Sequence, residues 1–294
     1  MNKKQFFIVD VFAESKYAGN QLAVVLDAGD LSSEQMLDIT REMNYSETTF
    51  ILSDEQRDGG YDVRIFTPGA EVPFAGHPTL GTAYVIRDQI IKEAVDTLQL
   101  NLGVGQIPVT FVRQEAGETL WMKQQAPEFG PTTDPAEIAA VLGLDEAQID
   151  SGFPVQEVST GLWFIIVPLR NLDAVRRAQV MKDRYADFMK DRQVVDILVF
   201  SPETYHQDNH LNVRVFVPCY GIEEDPATGS GNGCLAAYLS RHSYFGGSDV
   251  GVRVEQGYDI ARPSLLHLRA SRTSDQIDVH VGGKVVMVAE GRLV

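Results

Sequence analysis

The chain has 294 residues, of which 44% are hydrophobic, and its 41 acidic against 25 basic residues give a formal net charge of −16. This length and apolar content suffice for one large domain or two ordinary ones, whereas the negative charge excludes a nucleic-acid partner, because a phosphate backbone would be repelled. No apolar run approaches the roughly 20 residues that span a bilayer, and two cysteines are too few for a disulfide framework, so we expect a cytoplasmic protein that is not inserted in a membrane.

The first elements of the chain are two predicted strands and a helix. Residues 5–12 and 22–26 are apolar and rich in β-forming side chains, which is typical of strands. Ser32 or Ser33 then caps a predicted helix, because a serine oxygen can accept from the unpaired amides of a first helical turn. The helix is predicted to end near Asn44.

The next segment, residues 45–52, is β-branched and aromatic and is predicted as a strand. Glu47 is its ionisable side chain and shares a strand face with Thr49 and Ile51 if the period is two. Burial of that face would favour the protonated carboxyl group, which suits a group that takes and returns a proton. The alternative is a glutamate on a solvated strand face.

A strand–turn–helix unit occurs twice. Residues 63–66 (VRIF) recur as residues 213–216 (VRVF), and a Glu-x-Pro-x-x-Gly turn follows each, at residues 71–76 and 224–229, with a second connection three residues longer. After each glycine the composition is typical of a helix. The duplication indicates two similar halves, and we expect a cleft between them that receives both helix starts.

The second half follows a segment punctuated by Pro and Gly, residues 124–131. We therefore predict a first domain of residues 1–122, joined by a returning C-terminal strand at 284–294, and a second domain of residues 123–283. The predicted elements of the second half are a helix at 136–142 capped by Asp134, a buried strand at 161–169, a helix at 172–189, a strand at 194–200 and a hairpin at 277–294 around Gly282 and Gly283.

Each duplicated helix start is a candidate anion site. The turns at Gly76-His77-Pro78 and Gly229-Ser230-Gly231 place unpaired amides at the positive end of a helix dipole. Glycine at such a position lets the backbone approach a ligand closely, and two such sites in one cleft would suit a small carboxylate. Ordinary helix capping is the alternative, and the duplication makes it less favoured.

Three ionisable residues near these turns are candidates for proton transfer. Glu47, His77 and Asp225 together form a possible relay for moving a proton between carbon atoms. For His77 taken alone, capping or packing explains the sequence as well as catalysis does. Arg64 and Arg214 are candidates for carboxylate binding, although an arginine in a strand more often extends to solvent or pairs with a nearby acid.

Metal and thiol chemistry have weaker support. The six histidines are dispersed, and His206 and His210 lie in a polar loop without a third ligand at an informative spacing, so we expect no metal. Cys219 and Cys234 flank the second turn, where a small buried hydrophobe is the favoured role for each.

Four ordered motifs span nearly the whole chain. They are DVF at residues 10–12 with the following Gly19-Asn20, NYSETTF at 44–50, FTP with VPFAGHP within 66–78, and EDPATGS at 224–230. Together they resemble the PhzF-like phenazine-biosynthesis family. The resemblance implies an α+β fold similar to diaminopimelate epimerase: two similar domains related by a pseudo-twofold repeat, each a curved, mostly antiparallel sheet or barrel around a central helix, with the active site in the cleft between them.

The resemblance also implies an activity. Such proteins are homodimeric isomerases without metal or organic cofactor, in which a glutamate moves a proton across an unsaturated cyclic amino acid, as in the trans-2,3-dihydro-3-hydroxyanthranilate step. Glu47 matches the proton-shuttling carboxylate, and His77 and Asp225 match further catalytic positions beside the substrate. The remaining candidate site residues, expected to bind substrate, are Ser46, Gly76, Gly229 and Ser230.

The related epimerases and proline racemases place one cysteine at each helix start as an acid/base pair. Here the matching positions are Ala75 and Thr228, which excludes a two-thiol mechanism. The leading hypothesis is therefore a cofactor-independent isomerase acting on a small, cyclic, unsaturated amino-acid-like carboxylate through Glu47. The alternatives are a one-base epimerase and a non-catalytic dimer that binds small carboxylates.

Overall fold

The structure, a computed structural model, describes residues 3–115, 117–190, 192, 196–218, 222–274 and 276–294. Two compact units divide the chain: Met1–Met122 with Gly282–Val294 form the first, and Lys123–Val281 form the second. Both units combine strands and helices, which confirms the predicted α+β class. Within the described ranges, no helix is both long enough and apolar enough to cross a membrane.

Strands outnumber helices in both units. The strands are β1 (Lys4–Val11), β2 (Asn20–Val25), β3 (Thr48–Ile51), β4 (Tyr61–Phe66), β5 (Glu71–Val72), β6 (Thr97–Leu102), β7 (Gly105–Gln114), β8 (Gly117–Lys123), β9 (Glu128–Thr133), β10 (Val155–Ser159), β11 (Trp163–Pro168), β12 (Asp196–Ser201), β13 (Leu211–Val217), β14 (Ile222–Asp225), β15 (Val250–Gln256), β16 (Ser264–Thr273), β17 (Gln276–Gly283) and β18 (Val285–Leu293). The helices are α1 (Ser33–Met43), α2 (Gly76–Val85), α3 (Pro135–Val141), α4 (Leu172–Arg177), α5 (Lys182–Phe188) and α6 (Gly229–Arg241), with a π-helical turn at Ile86–Ile91 and 3₁₀ turns at Glu146–Gln148 and Tyr258–Ile260.

The first unit is a mixed sheet around α2. The C-terminal strand β18 pairs antiparallel with β1, which also pairs with β2, and β2 runs parallel to β3. Helix α2 contacts β1, β2, β3, β6, β7 and β18, so it forms the centre of the unit. Gly81 permits the close approach, because a Cβ there would lie 2.6 Å from a methyl carbon of Leu22 and 2.9 Å from one of Val11.

Helix α1 follows its sequence prediction closely. Ser32 is its N-cap, and Ser32 and Gln35 exchange the two hydrogen bonds of a capping box. Asn44 ends the helix in the left-handed conformation, which asparagine tolerates better than most residues do. Met36 on α1 packs with Phe50 and Phe66 in a small core.

The second unit repeats this plan around α6. Strands β9 to β12 pair in chain order, with β11 parallel to β12, and β12 then pairs antiparallel with β13. Strand β13 pairs with both β14 and β15. Helix α6 contacts β10, β11, β15 and β16 and is buried along most of its length. Helices α3, α4 and α5 cover the other face of the sheet in a second core.

The prediction of one long helix at residues 172–189 is wrong, because the structure has two shorter helices there, α4 and α5. The break follows from Arg214 on β13, whose Nη1 donates to the carbonyl oxygens of Val175, Arg176 and Ala178 at 3.0, 3.1 and 2.8 Å. Because these carbonyls end α4, the arginine satisfies them in place of a further helical turn. The strand predicted at 194–200 begins at Asp196 as β12, and residues 194 and 195 lie outside the described ranges.

The two arginines of the repeat form ion pairs. Arg64 Nε donates to Glu71 Oε1 at 2.7 Å, and Arg214 Nε donates to Glu224 Oε1 at 3.1 Å. Each arginine thus pairs with the glutamate of its own turn. The expected alternative of pairing with a nearby acid is thus confirmed for both arginines.

Candidate active site

The first unit brings Glu47 and His77 together. Glu47 directly precedes β3, so the strand predicted from residue 45 is shorter than expected and begins at Thr48. His77 is the second residue of α2. Glu47 Oε2 lies 3.4 Å from His77 Nε2, and the two side chains are only 18% and 7% exposed. A carboxyl group and an imidazole thus meet in a largely buried place.

His77 is uncharged at neutral pH. Burial lowers its pKa to about 3, against a smaller opposing effect of a hydrogen bond to the Gln21 backbone. The Glu47 contact is therefore one between a carboxyl group and a neutral imidazole, not between opposite charges. A neutral ring nitrogen can accept a hydrogen bond from a protonated carboxyl group. The pair has the chemical groups needed for reversible proton transfer.

Both duplicated helix starts lack a capping side chain. The N-cap residues of α2 and α6 are Ala75 and Thr228, and neither accepts a hydrogen bond from its helix. The N-caps of α1, α3 and α4 do accept such bonds. Gly76 and Gly229 follow as the first helical residues. The first-turn amides of α2 and α6 thus lack the side-chain partner that ordinary capping would supply.

The second unit holds Asp225 in a hydrogen-bonded turn. Thr228 Oγ1 donates to Asp225 Oδ2 at 2.5 Å, so this hydroxyl serves the aspartate instead of the helix. Gln256 is fully buried; its Nε2 donates to the Asp225 carbonyl at 2.8 Å, and its Oε1 accepts from the Thr228 amide at 3.1 Å. Asn232 Nδ2 also donates to Gln256 Oε1 at 2.8 Å. Sequence reasoning missed Gln256 and Asn232, which lie in no local motif.

The other expected substrate-binding residues lie beside these groups. Ser46 is adjacent to Glu47, and Ser230 is the second residue of α6; both are partly buried. Within the first unit, Ser46, Glu47, Gly76 and His77 thus belong to one region. Within the second unit, Asp225, Gly229 and Ser230 occupy the turn before α6 and its first residues.

Sequence reasoning also missed Asp196, the first residue of β12. It is 5% exposed, and burial, followed by the charge of Asp225, raises its pKa to about 7. No short motif surrounds Asp196. The signal that identifies it is its register within the repeated unit, which the strand pairing reveals.

Metal-binding and thiol groups are sparse near these sites. Among the residues that the structure describes, no three or more His, Cys, Asp or Glu side chains are grouped to hold a metal ion. His210 Nδ1 accepts from the Arg253 amide at 3.1 Å. Cys234 is a free, buried thiol whose pKa is raised by burial to about 12, so it stays protonated at neutral pH and does not supply a thiolate base. Cys219 lies outside the described residues.

Comparisons with known proteins identify the family to which this chain belongs. Residues 9–291 match the family model of the phenazine biosynthesis-like proteins. The trans-2,3-dihydro-3-hydroxyanthranilate isomerase of Pseudomonas aeruginosa is 36% identical over 98% of both chains. A Bacillus anthracis phenazine biosynthesis protein of the PhzF family has a TM-score of 0.92 and 29% identity over 100% of both chains. A hydroxyproline epimerase from Agrobacterium vitis shares the fold alone, with a TM-score of 0.64 at 10% identity over 99% of this chain and 92% of its own. The chain belongs to the phenazine biosynthesis-like protein family and, like its named relatives, is an isomerase.

Proposed function

We propose that this isomerase moves a proton on a small, cyclic, unsaturated amino-acid-like carboxylate of the trans-2,3-dihydro-3-hydroxyanthranilate class, with Glu47 as the acid/base. The observation that carries the proposal is the 3.4 Å approach of Glu47 Oε2 to His77 Nε2 in a largely buried place. The 36% identical relative from Pseudomonas aeruginosa is named for this reaction, which supports the substrate class.

In the proposed reaction, Glu47 removes a proton from a carbon made acidic by neighbouring unsaturation. It holds that proton and returns it to another carbon of the same substrate, so that no atom is gained or lost. His77, whose pKa is lowered to about 3 by burial, stays neutral and can accept a hydrogen bond from protonated Glu47. A charged imidazolium would instead hold Glu47 as a carboxylate and oppose proton uptake.

We further propose that the two helix starts bind the substrate. The uncapped first-turn amides beginning at Gly76 and Gly229, with the hydroxyl group of Ser230, offer donors to a carboxylate. Asp225, fixed by Thr228 at 2.5 Å, offers an acceptor to an amino group. In this proposal the two sets of residues serve the same reaction. The reaction needs neither metal nor organic cofactor, and the protein acts as a homodimer.

Glu47→Gln tests the proposal, because it keeps the shape of the side chain and removes its ability to take a proton. Turnover of trans-2,3-dihydro-3-hydroxyanthranilate should fall at least about 100-fold, the low end for a positioned acid/base. Glu55→Gln, at an exposed glutamate of the same unit, is the matched control and should retain wild-type turnover. Wild-type-like activity in Glu47→Gln would contradict the assignment.

The same assay in deuterated buffer separates the alternative functions. Isomerisation changes the double-bond position, whether Glu47 returns the same proton directly or that proton first exchanges with solvent deuterium. A one-base epimerase would exchange deuterium with loss of optical rotation and an unchanged bond pattern. Tight binding of the carboxylate with neither exchange nor a change of bond pattern would indicate a binding protein.

A further inference from the structure

The second repeat carries an acid at the position that Glu47 occupies in the first. On β3, the residue after Glu47 pairs with Phe66 of β4. On β12, the residue after Asp196 pairs with Phe216 of β13. Phe66 and Phe216 are the same residue of the duplicated VR[IV]F motif. Glu47 and Asp196 are therefore equivalent in the pairing register, although their neighbouring sequences differ.

Asp196 lies on the sheet face that packs against α6, near the beginning of that helix. A Cβ at Gly231 would lie 3.3 Å from Leu198 Cδ1, and the rings of Phe200 and Tyr238 are 5.9 Å apart. On this face of β12, Leu198 thus lies near the start of α6 and Phe200 lies nearer its end. Asp196 shares the face, because strand side chains alternate, and it lies two residues before Leu198. Its position thus falls at the start of α6.

The Asp196 carboxyl group is buried and incompletely bonded. It is 5% exposed, and its Oδ1 has no hydrogen-bond partner among the described residues. A buried polar atom of this kind is expected to have a partner, and a ligand group at the helix start would supply one. Burial, and then the negative charge of Asp225, raise the Asp196 pKa to about 7.

The other charged side chains on the neighbouring strands lie on the opposite sheet face. Arg214 is paired across the strands with Val199, which belongs to the second core, beneath α3, α4 and α5. The Arg214 side chain binds Glu224. Glu157 is paired across the strands with Ile165 of the same core, and its carboxylate contacts Arg192. The first turn of α6 contains no acidic side chain.

Asp225 is therefore the charge that faces Asp196 within the described part of this unit. A second carboxylate at the start of α6 would add to the repulsion that Asp225 already exerts on an anion, and would weaken further what the helix amides offer it. We propose that Asp196 is a positioning residue: in its protonated form, its carboxyl group limits this helix start to the single negative charge of Asp225 and so admits the carboxylate of the substrate. This inference rests on the proposed function for its ligand, and on the burial of Asp196 beside Asp225 for its charge state.

The charge state is tested without any ligand. Carbon-13 NMR of the aspartate carboxyl groups should show one signal that titrates near neutral pH in the wild-type protein and is missing in Asp196→Asn. Asp225→Asn should move that midpoint to lower pH, because the neighbouring negative charge is gone. Titration of every aspartate below about pH 5 would overturn the inference, as would a near-neutral signal that persists in Asp196→Asn.

The role in binding is tested with 3-hydroxyanthranilate, whose aromatic ring cannot undergo the proton shift. If the protein binds this probe only while Asp196 is protonated, the wild-type Kd should rise about 10-fold between pH 6 and pH 8. Asp196→Asn, which is uncharged at both pH values, should show no such rise. Glu157→Gln, at a buried carboxylate on the opposite face, should behave as the wild type does.

Each outcome separates this inference from the proposed function. If the Kd of Asp196→Asn rises with pH as that of the wild type does, the positioning role is overturned. If Asp196→Asn loses the same affinity at pH 6 and at pH 8, the role of Asp196 is structural and the positioning role is again overturned. If Asp196 titrates near neutral pH but the protein binds 3-hydroxyanthranilate at neither pH, the charge state of Asp196 is established. The substrate class of the proposed function is then overturned. Loss of turnover in Glu47→Gln with a flat wild-type Kd would support the isomerase and overturn the role of Asp196.

Discussion

The two repeats share a motif, yet they place the same ion pair in different surroundings. In the first repeat, Arg64 and Glu71 are 27% and 44% exposed. In the second, Arg214 and Glu224 are 12% and 6% exposed. Water screens the first pair, whereas the second lies in a poorly screened place where an unpaired charge is costly. A repeated sequence therefore determines which groups meet but not how strongly they interact.

The helices that follow the two turns differ in chemistry at equivalent positions. The second residue is the titratable His77 in α2 and the hydroxyl-bearing Ser230 in α6. The sixth residue is Gly81 in α2 and Cys234 in α6. The backbone plan is thus common to both repeats, while the groups that titrate and the space left for side chains have diverged. Each difference gives a paired experiment.

The largest expected difference concerns the two arginines. Arg214→Ala should lower the free energy of unfolding by about 3–5 kcal/mol, because it leaves Glu224 buried without its partner. It also removes the donor to the three carbonyls at the end of α4. Arg64→Ala should cost only about 0–1 kcal/mol, as an exposed pair does. Urea denaturation of both variants checks the contrast, and equal losses would contradict the ranking by burial.

The second expected difference concerns acid stability. His77 has a pKa of about 3 in the folded protein against 6.5 ordinarily, so the unfolded chain binds the proton first as the pH falls. The folded state should therefore lose about 1.4 kcal/mol per pH unit below 6.5, down to the folded pKa, and nothing above 6.5. Between pH 6 and pH 4 this amounts to about 2–3 kcal/mol.

Variants at the two equivalent positions isolate the effect. His77→Gln should remove this part of the pH dependence, whereas Ser230→Ala should leave it unchanged, because a serine hydroxyl does not titrate in this range. Urea denaturation as a function of pH measures both. The same pH slope in His77→Gln and the wild type would show that His77 is not the group that titrates.

Local signals explain the parts of the fold that the sequence predicts well. The start of α1 depends on Ser32 and the end on Asn44, and both lie next to the helix that they delimit. Helix α3 likewise begins where Asp134 accepts from its first turn. The duplicated turns were visible because their glutamate, proline and glycine keep fixed spacings. A prediction succeeds when the residues that stabilise an element are its neighbours in the chain.

Distant contacts explain the parts that the sequence does not predict. The break between α4 and α5 depends on Arg214, which lies far along the chain from the carbonyls that it binds. The position of Asp196 depends on the register of β12 against β13, and Gln256 reaches the start of α6 from β15. Local sequence and the family resemblance together indicate Glu47 as catalytic, but its contact with His77 depends on the folded chain.

The smallest expected difference tests the space around the two central helices. A Cβ at Gly81 would lie 2.6 Å from Leu22 and 3.1 Å from Val9, so Gly81→Ala forces buried side chains to move. The strain, about 1–3 kcal/mol for an overpacked core, is partly offset by the better helix propensity of alanine, about 1 kcal/mol. We therefore expect a net loss of up to about 2 kcal/mol.

The equivalent position in α6 already holds a larger side chain. Cys234→Ala should lower the free energy of unfolding by about 1 kcal/mol, as for the loss of one buried heavy atom. Gly247→Ala is the control, because a Cβ there would meet no atom within 4 Å, and it should change the free energy of unfolding by less than about 0.5 kcal/mol. Thermal or urea unfolding of the three variants ranks them. A Gly81→Ala protein as stable as Gly247→Ala would show that β1 and β2 can move away from α2. Close packing of the helix against the sheet would then not explain why the first repeat has glycine at this position and the second has cysteine.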